Sequence, residues 1–137
     1  MELTLGDIRN KYQMFLNISS KRLPIKLAYF ISKNLLKLEY ETKIIDDNRI
    51  KVAQTYAVTD SNGKPMIDDN NCYVIDESYL SELNKELNEY YKSTTNIDIC
   101  KVNVSELDKL DNSRYDALTP AELMALDFML EYKTETN

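Results

Sequence analysis

Apolar residues recur every three or four positions along most of the chain, and strict alternation is confined to one short stretch. Ile8, Tyr12, Phe15 and Leu16 predict a first helix after Thr4. Thr4 stands at the N-cap with Asp7 three residues on, a weaker variant of the capping box, and Leu3 and Ile8 take the staple positions. This helix should fade near Ile18-Ser19-Ser20. Pro24 is tolerated only in a first turn, so a second helix begins between Ser20 and Pro24. Leu27, Ile31, Leu35, Leu38, Thr42, Ile45, Arg49, Val52 or Ala53, and Tyr56 then step by three or four. They predict one helix on the order of 50 Å long at ~1.5 Å per residue. Asp46-Asp47-Asn48 is the place where it would break or bend.

Asn62-Gly63 marks a tight turn with positive φ. Cys72–Asp76 reads as a short strand, with Cys72 half-buried in it. Asp76 caps a third helix over residues 77–92, whose stripe is Leu80, Leu83, Leu87 and Tyr90 or Tyr91. Ile97–Val104 alternates with period two and predicts a strand, expected to pair with Cys72–Ile75. The last element is the best-punctuated helix. Thr119 is its N-cap, Pro120 its N1, Glu122 completes the capping box, and Leu118 and Leu123 form the staple. Leu123, Met124, Leu126, Phe128, Met129 and Leu130 make it apolar around much of its circumference, so it is either buried or docks a partner or a second copy of the chain. The tail KTETN should fray.

The expected fold is therefore α+β and mainly helical. A long central helix packs with the N- and C-terminal helices, and a small antiparallel sheet lies to one side. Residues 1–137 make a single domain: 1–58 helical, 59–113 a turn, short strands and a helix, and 114–137 the capped C-terminal helix.

Composition narrows the chemistry. The 137 residues include no His and only two Cys, Cys72 and Cys100. That removes the commonest zinc sites and the Ser-His-Asp and Cys-His nucleophile pairs. No other pattern points to catalysis, a metal or a cofactor, so none of the three is expected. DSNG and DDNN suggest a calcium loop, but the glycine at position six would place Val58 first and no Glu closes it. The polar start carries no secretory signal, and no apolar run nears the ~20 residues of a membrane span. A cytoplasmic protein with reduced thiols is expected.

Charge is segregated. Residues 1–37 hold seven Lys/Arg and two Asp/Glu, a local +5; residues 38–137 hold ten and 21, a local −11, within a net −6. The basic part falls on the second helix. At ~100° per residue, Arg22, Lys26, Tyr29, Lys33, Lys37 and Tyr40 lie within roughly 80° of arc, opposite Leu27, Ile31, Leu35, Leu38 and Ile45. Cations interleaved with Tyr suit an acidic protein surface, a small phosphorylated ligand or stacked bases. The helix start near Arg22 would favour an anion. Lys at this spacing is also the usual solvated face, and the acidic helix over 77–89 is available to cover it. Duplex DNA is disfavoured, since the whole is acidic and no DNA-binding motif is present.

Several stretches in fixed order carry a resemblance: KRLPIKLAYFISKNL, then YAVTDSNGKP, LNKELN, IDI, and LTPAELMALDFM at the end. With these the chain resembles a family of small phage and prophage proteins from low-GC Gram-positive bacteria. The resemblance covers most of the chain and implies a phage context, and it supplies no catalytic residues. The expectation is a non-enzymatic binding protein acting on a host or phage macromolecule, with inhibition of host antiviral defence as one role. A virion assembly factor and a sponge for a nucleotide signal are the alternatives.

Overall fold

The computed structural model describes residues 1–132; the KTETN tail lies outside them. Strand β1 (Glu2–Thr4) leads into helix α1 (Leu5–Ser19), where the Asp7 amide donates to the Thr4 hydroxyl at 3.1 Å, as the cap requires. Helix α2 runs from Ile25 to Thr55 without interruption, about 46 Å at ~1.5 Å per residue. Pro24 is its N-cap rather than part of its first turn, so Arg22 stands outside the helix. The suspected weak point at Asp46–Asn48 is braced from both sides. Asp46 pairs with Arg9 of α1 at 2.8 Å, and the Asn48 amide donates to the Ile44 carbonyl at 2.9 Å.

Ile8, Phe15 and Ile18 of α1 pack on Leu27, Ile31, Leu38 and Ile45 of α2. Ile97, Val102, Leu126, Met129 and Leu130 complete the same buried cluster, so all three expected parts of the chain share one core. Helix α3 (Leu80–Lys92) follows a 3-10 turn whose first amides are met by the Asp76 carboxylate at Ser78. Leu83 is buried, and the Tyr90 hydroxyl donates to the Ile45 carbonyl at 2.9 Å.

The strand pairing differs from expectation. Cys72–Ile75 does not meet Ile97–Val104. Instead β1 pairs antiparallel with β2 (Thr94–Asn96), and β3 (Val102–Asn103) pairs parallel with β4 (Leu130–Glu131). Ile97 exchanges both backbone bonds with Met1, continuing the pairing of β1 with β2, and the residues 98–101 join no ladder; at Cys100 a helix side chain takes the place of a strand. The Asn34 amide donates to the Cys100 carbonyl and accepts from the Cys100 amide, both at 2.8 Å. An amide side chain has one donor end and one acceptor end, as a backbone residue has.

Residues 57–75 build a small closed unit. Val58 N–H donates to Val74 C=O, Val74 N–H to Met66 C=O, and Met66 N–H to Val58 C=O, so three short segments bond around a triangle. Two similar turns connect them. Asp60 accepts from the amides of Asn62 and Lys64, and Asp68 from those of Asn70 and Cys72. Gly63 (φ 77°) and Asn71 (φ 63°) occupy the same left-handed position in each. These bonds engage the carboxylates that suggested a calcium loop. Cys72 is exposed at the second turn, not half-buried.

The C-terminal helix is shorter than its apolar pattern predicts. Helix α4 covers Pro120–Leu126 with both capping-box bonds formed. The chain then tightens into a 3-10 turn at Asp127–Met129 and extends as β4. That change buries Leu126 and Met129 completely and lets Leu130 pair beside Val102. Among the described residues, no helix is long and apolar enough to cross a membrane.

Candidate interaction face

The core side of α2 is defined by Leu27, Ile31, Asn34, Leu38, Thr42 and Ile45, all buried. Lys26, Tyr29, Lys33, Lys37 and Tyr40 lie on the opposite side, as the helical count predicts. Most of the cations there are engaged by the chain's own acidic residues. These come not from the 77–89 helix, as considered above, but from the 98–116 segment that wraps across α2.

At the wrap's far end, the Asp116 carboxylate accepts the Arg22 backbone N–H at 2.7 Å and meets the Arg22 guanidinium at 3.2 Å. Those bonds, the backbone one first, hold the Asp116 carboxyl below its usual range. Glu106 binds Lys109 at 2.6 Å and Lys26 at 3.7 Å. Its carboxyl is likewise lowered, chiefly by the Lys109 hydrogen bond. Lys37 donates to the Asp98 carbonyl and lies 3.5 Å from the Cys100 sulfur. Lys33 differs from the rest: its ammonium stands 5.6 Å from the centre of the Tyr29 ring and meets no carboxylate among the described residues. A further cation escaped the sequence reading. Lys21 binds Glu122 at 2.6 Å and the Ala117 carbonyl at 2.9 Å, tying the start of α2 to the cap of α4. This hydrogen bond is the main reason that the Glu122 carboxyl is lowered.

Besides Lys26 and Lys33, four large apolar side chains stay open on the outer side of α2. Ile25 is 88% exposed, Leu36 65%, Tyr40 67% and Tyr29 57%. With Lys33 they fall within roughly 80° of arc, diametrically opposite the core side. Tyr29 is fixed edge-on against Phe30, with ring centres 5.4 Å apart. The sequence reading found Tyr29 and Tyr40 but missed Ile25 and Leu36, because it followed charge around the helix and left aliphatic residues to the core. Extending the same count to every residue would have found them. Beside Tyr40, a shallow groove of about 390 Å³ is lined by Leu36, Lys37, Glu41, Asn96, Ile97 and Asp98.

The C-terminal candidates divide. Leu126, Met129 and Leu130 belong to the core, and Phe128 packs against Phe15 with ring centres 5.5 Å apart. Leu123 and Met124 remain exposed, Met124 at 79%. Of the two readings, burial or docking, burial accounts for most of this element. A separate cavity of about 550 Å³ lies between α2, α3 and the 57–75 unit, walled by Ile50, Ile67, Ile75, Leu83 and Leu87 with Arg49 at its edge. Among the described residues, no group of three or more His, Cys, Asp or Glu is placed to hold a metal ion. Comparison with protein-family models, curated proteins and solved structures finds no match for this chain.

Proposed function

We propose that this chain is a non-enzymatic, phage-encoded binding protein that inhibits a host antiviral defence by engaging a protein through the outer side of α2. One observation carries the reading. Four large apolar side chains stand in the open on a rigid helix whose opposite side is locked into the core. Large apolar side chains exposed along one side of a helix mark interaction sites.

A protein fits this side better than a phosphorylated ligand does. The Arg22 backbone N–H and guanidinium, ahead of α2, are already taken by the Asp116 carboxylate. Among the residues lining the groove beside Tyr40, Lys37 alone could attract a phosphate, and its ammonium is already held by Asp98.

The test is crosslinking and co-purification from an infected host, comparing the native chain with a Leu36→Ser, Tyr40→Ser variant. A defence or nucleic-acid-handling protein should be captured by the native chain and lost by the variant. Capture of head or tail proteins alone would replace this reading with a virion assembly role. Equal capture by both proteins would move the interaction away from α2.

A further inference from the structure

We infer that the outer side of α2 takes an acidic amphipathic helix of its partner, laid along the helix from Ile25 to Ile44. The inference rests on the reading that this side is the binding surface, and it specifies the partner's chemistry. Shape supplies the first argument. The open apolar residues form a seam, not a sheet: Ile25, Tyr29, Leu36 and Tyr40 span about four turns, roughly 23 Å long and 80° wide. A seam that narrow is covered by one helix packed alongside. Tyr29, Leu36 and Lys43 recur at intervals of seven, the repeat that keeps two helices in register.

Charge supplies the second argument. Along the footprint 25–44 stand four Lys (Lys26, Lys33, Lys37 and Lys43) and two Glu, Glu39 and Glu41, both outside the arc of the seam. Lys33 and Lys43 have no carboxylate partner among the described residues, and Lys26 keeps more than half of its side chain open beside Glu106. Lys26 and Lys43 stand on opposite borders of the seam and Lys33 stands within it. An incoming helix with carboxylates beside its apolar residues would pair with them. The rest of the chain, where acids outnumber bases by 8, would turn the same helix away. A second copy of the chain fits poorly. Two α2 seams facing each other would set these lysines against their own counterparts, and like charges across a contact are unfavourable.

The probe is a pair of fluorescein-labelled synthetic peptides of about three heptads, each with Leu at a and d. One carries Glu at e and g and the other Lys, and both are used below their self-association concentrations. Fluorescence anisotropy should show the acidic peptide binding at least tenfold more tightly than the basic one, with affinity falling as salt rises. Leu36→Ser should weaken the acidic peptide by about tenfold. Lys33→Glu with Lys43→Glu should weaken it by a similar factor while strengthening the basic peptide. Neither lysine makes an ion pair among the described residues, so this variant should keep its circular dichroism spectrum. Failure of both peptides to bind, equal binding of the two, or acidic-peptide binding that survives the charge reversal would each overturn the inference. So would sedimentation showing a dimer that Leu36→Ser converts to monomer, which would make a second copy the occupant. Loss of the acidic-helix inference together with continued capture of a host protein through Leu36 and Tyr40 would leave the broader reading standing.

Discussion

Asn34 is a polar residue with no exposed surface, in the middle of the core side of the longest helix. Its amide forms the two hydrogen bonds that hold the Cys100 backbone against α2. Asn34→Ala removes both bonds, each contributing about 1 kcal/mol net. It also leaves the Cys100 N–H and C=O without partners. Complete burial of each would cost about 1–3 kcal/mol, but Cys100 is only half-buried, so water recovers part of that. The expected loss is about 2–4 kcal/mol. With a urea m-value of about 2 kcal/mol/M, the unfolding midpoint should fall by roughly 1–2 M. Asn34→Asp makes the test sharper. A carboxylate keeps the acceptor for the Cys100 N–H but sets a negative oxygen against the Cys100 carbonyl. Its protonated form restores a donor. The folded pKa of the new carboxyl is therefore raised, and its favourable form is the one present at low pH. The deficit of Asn34→Asp relative to the native chain should be large at pH 7 and smaller at pH 4. A loss under about 0.5 kcal/mol for Asn34→Ala, or a pH-independent deficit for Asn34→Asp, would refute the role given to this amide.

Three further outcomes are expected. The buried Thr42 hydroxyl has no hydrogen-bond partner among the described residues, so Thr42→Val should stabilise the fold by about 1 kcal/mol; a lower urea midpoint would show that the hydroxyl is satisfied. Glu106, Asp116 and Glu122 all have carboxyls held below their usual range in the folded chain. A lowered folded pKa gives stability that is complete above the ordinary carboxylate range and lost as pH falls through the folded values. The midpoint should therefore stay flat from pH 7 to about 5 and fall below about pH 4, with a smaller fall in Lys21→Gln. Gly63 has open space where a Cβ would stand, so Gly63→Ala adds only the strain of a positive φ, about 1 kcal/mol. Amide exchange at Val58, Met66 and Val74 should quicken; unchanged protection would place the turn outside the cooperative unit of the triangle.

Local signals in the sequence were reliable where a few neighbouring residues decide the outcome. The Thr4 cap, the Thr119–Glu122 capping box, the Gly63 turn and the continuity of α2 are of that kind. Alternation over Ile97–Val104 predicted one strand, but only Val102–Asn103 forms one, Val104 opens a 3-10 turn, and Cys100 is paired outside any sheet. Its partner was illegible, because the pairing group is a side-chain amide 66 residues away on a helix. The end of α4 misled for a related reason: a run of Leu, Met and Phe suits a buried helix, a tight turn or a buried strand equally well. Spacing alone put Lys26, Tyr29, Lys33, Lys37 and Tyr40 on one side of α2, while Arg22 fell outside the helix. It did not show that Asp98, Glu106 and Asp116 would cross over to occupy Lys37, Lys26 and Arg22, since those meetings join residues 61 to 94 positions apart.

The pairing of β1 with β2 joins Glu2 to Asn96, and Lys21 meets Glu122 across 101 positions. For a mainly helical chain these are unusually distant meetings. Closing a loop of that length costs roughly 4 kcal/mol in chain entropy beyond a constant term, and it must be met before the distant contacts return anything. Refolding should therefore be slower than the helical content suggests, with helix signals appearing before the core is complete. On the ribosome, α1 and α2 emerge well ahead of residues 93–131. Until those arrive, Ile8, Phe15, Leu27 and Leu38 lack the partners that bury them, and the nascent chain spends that interval open to chaperones and proteases.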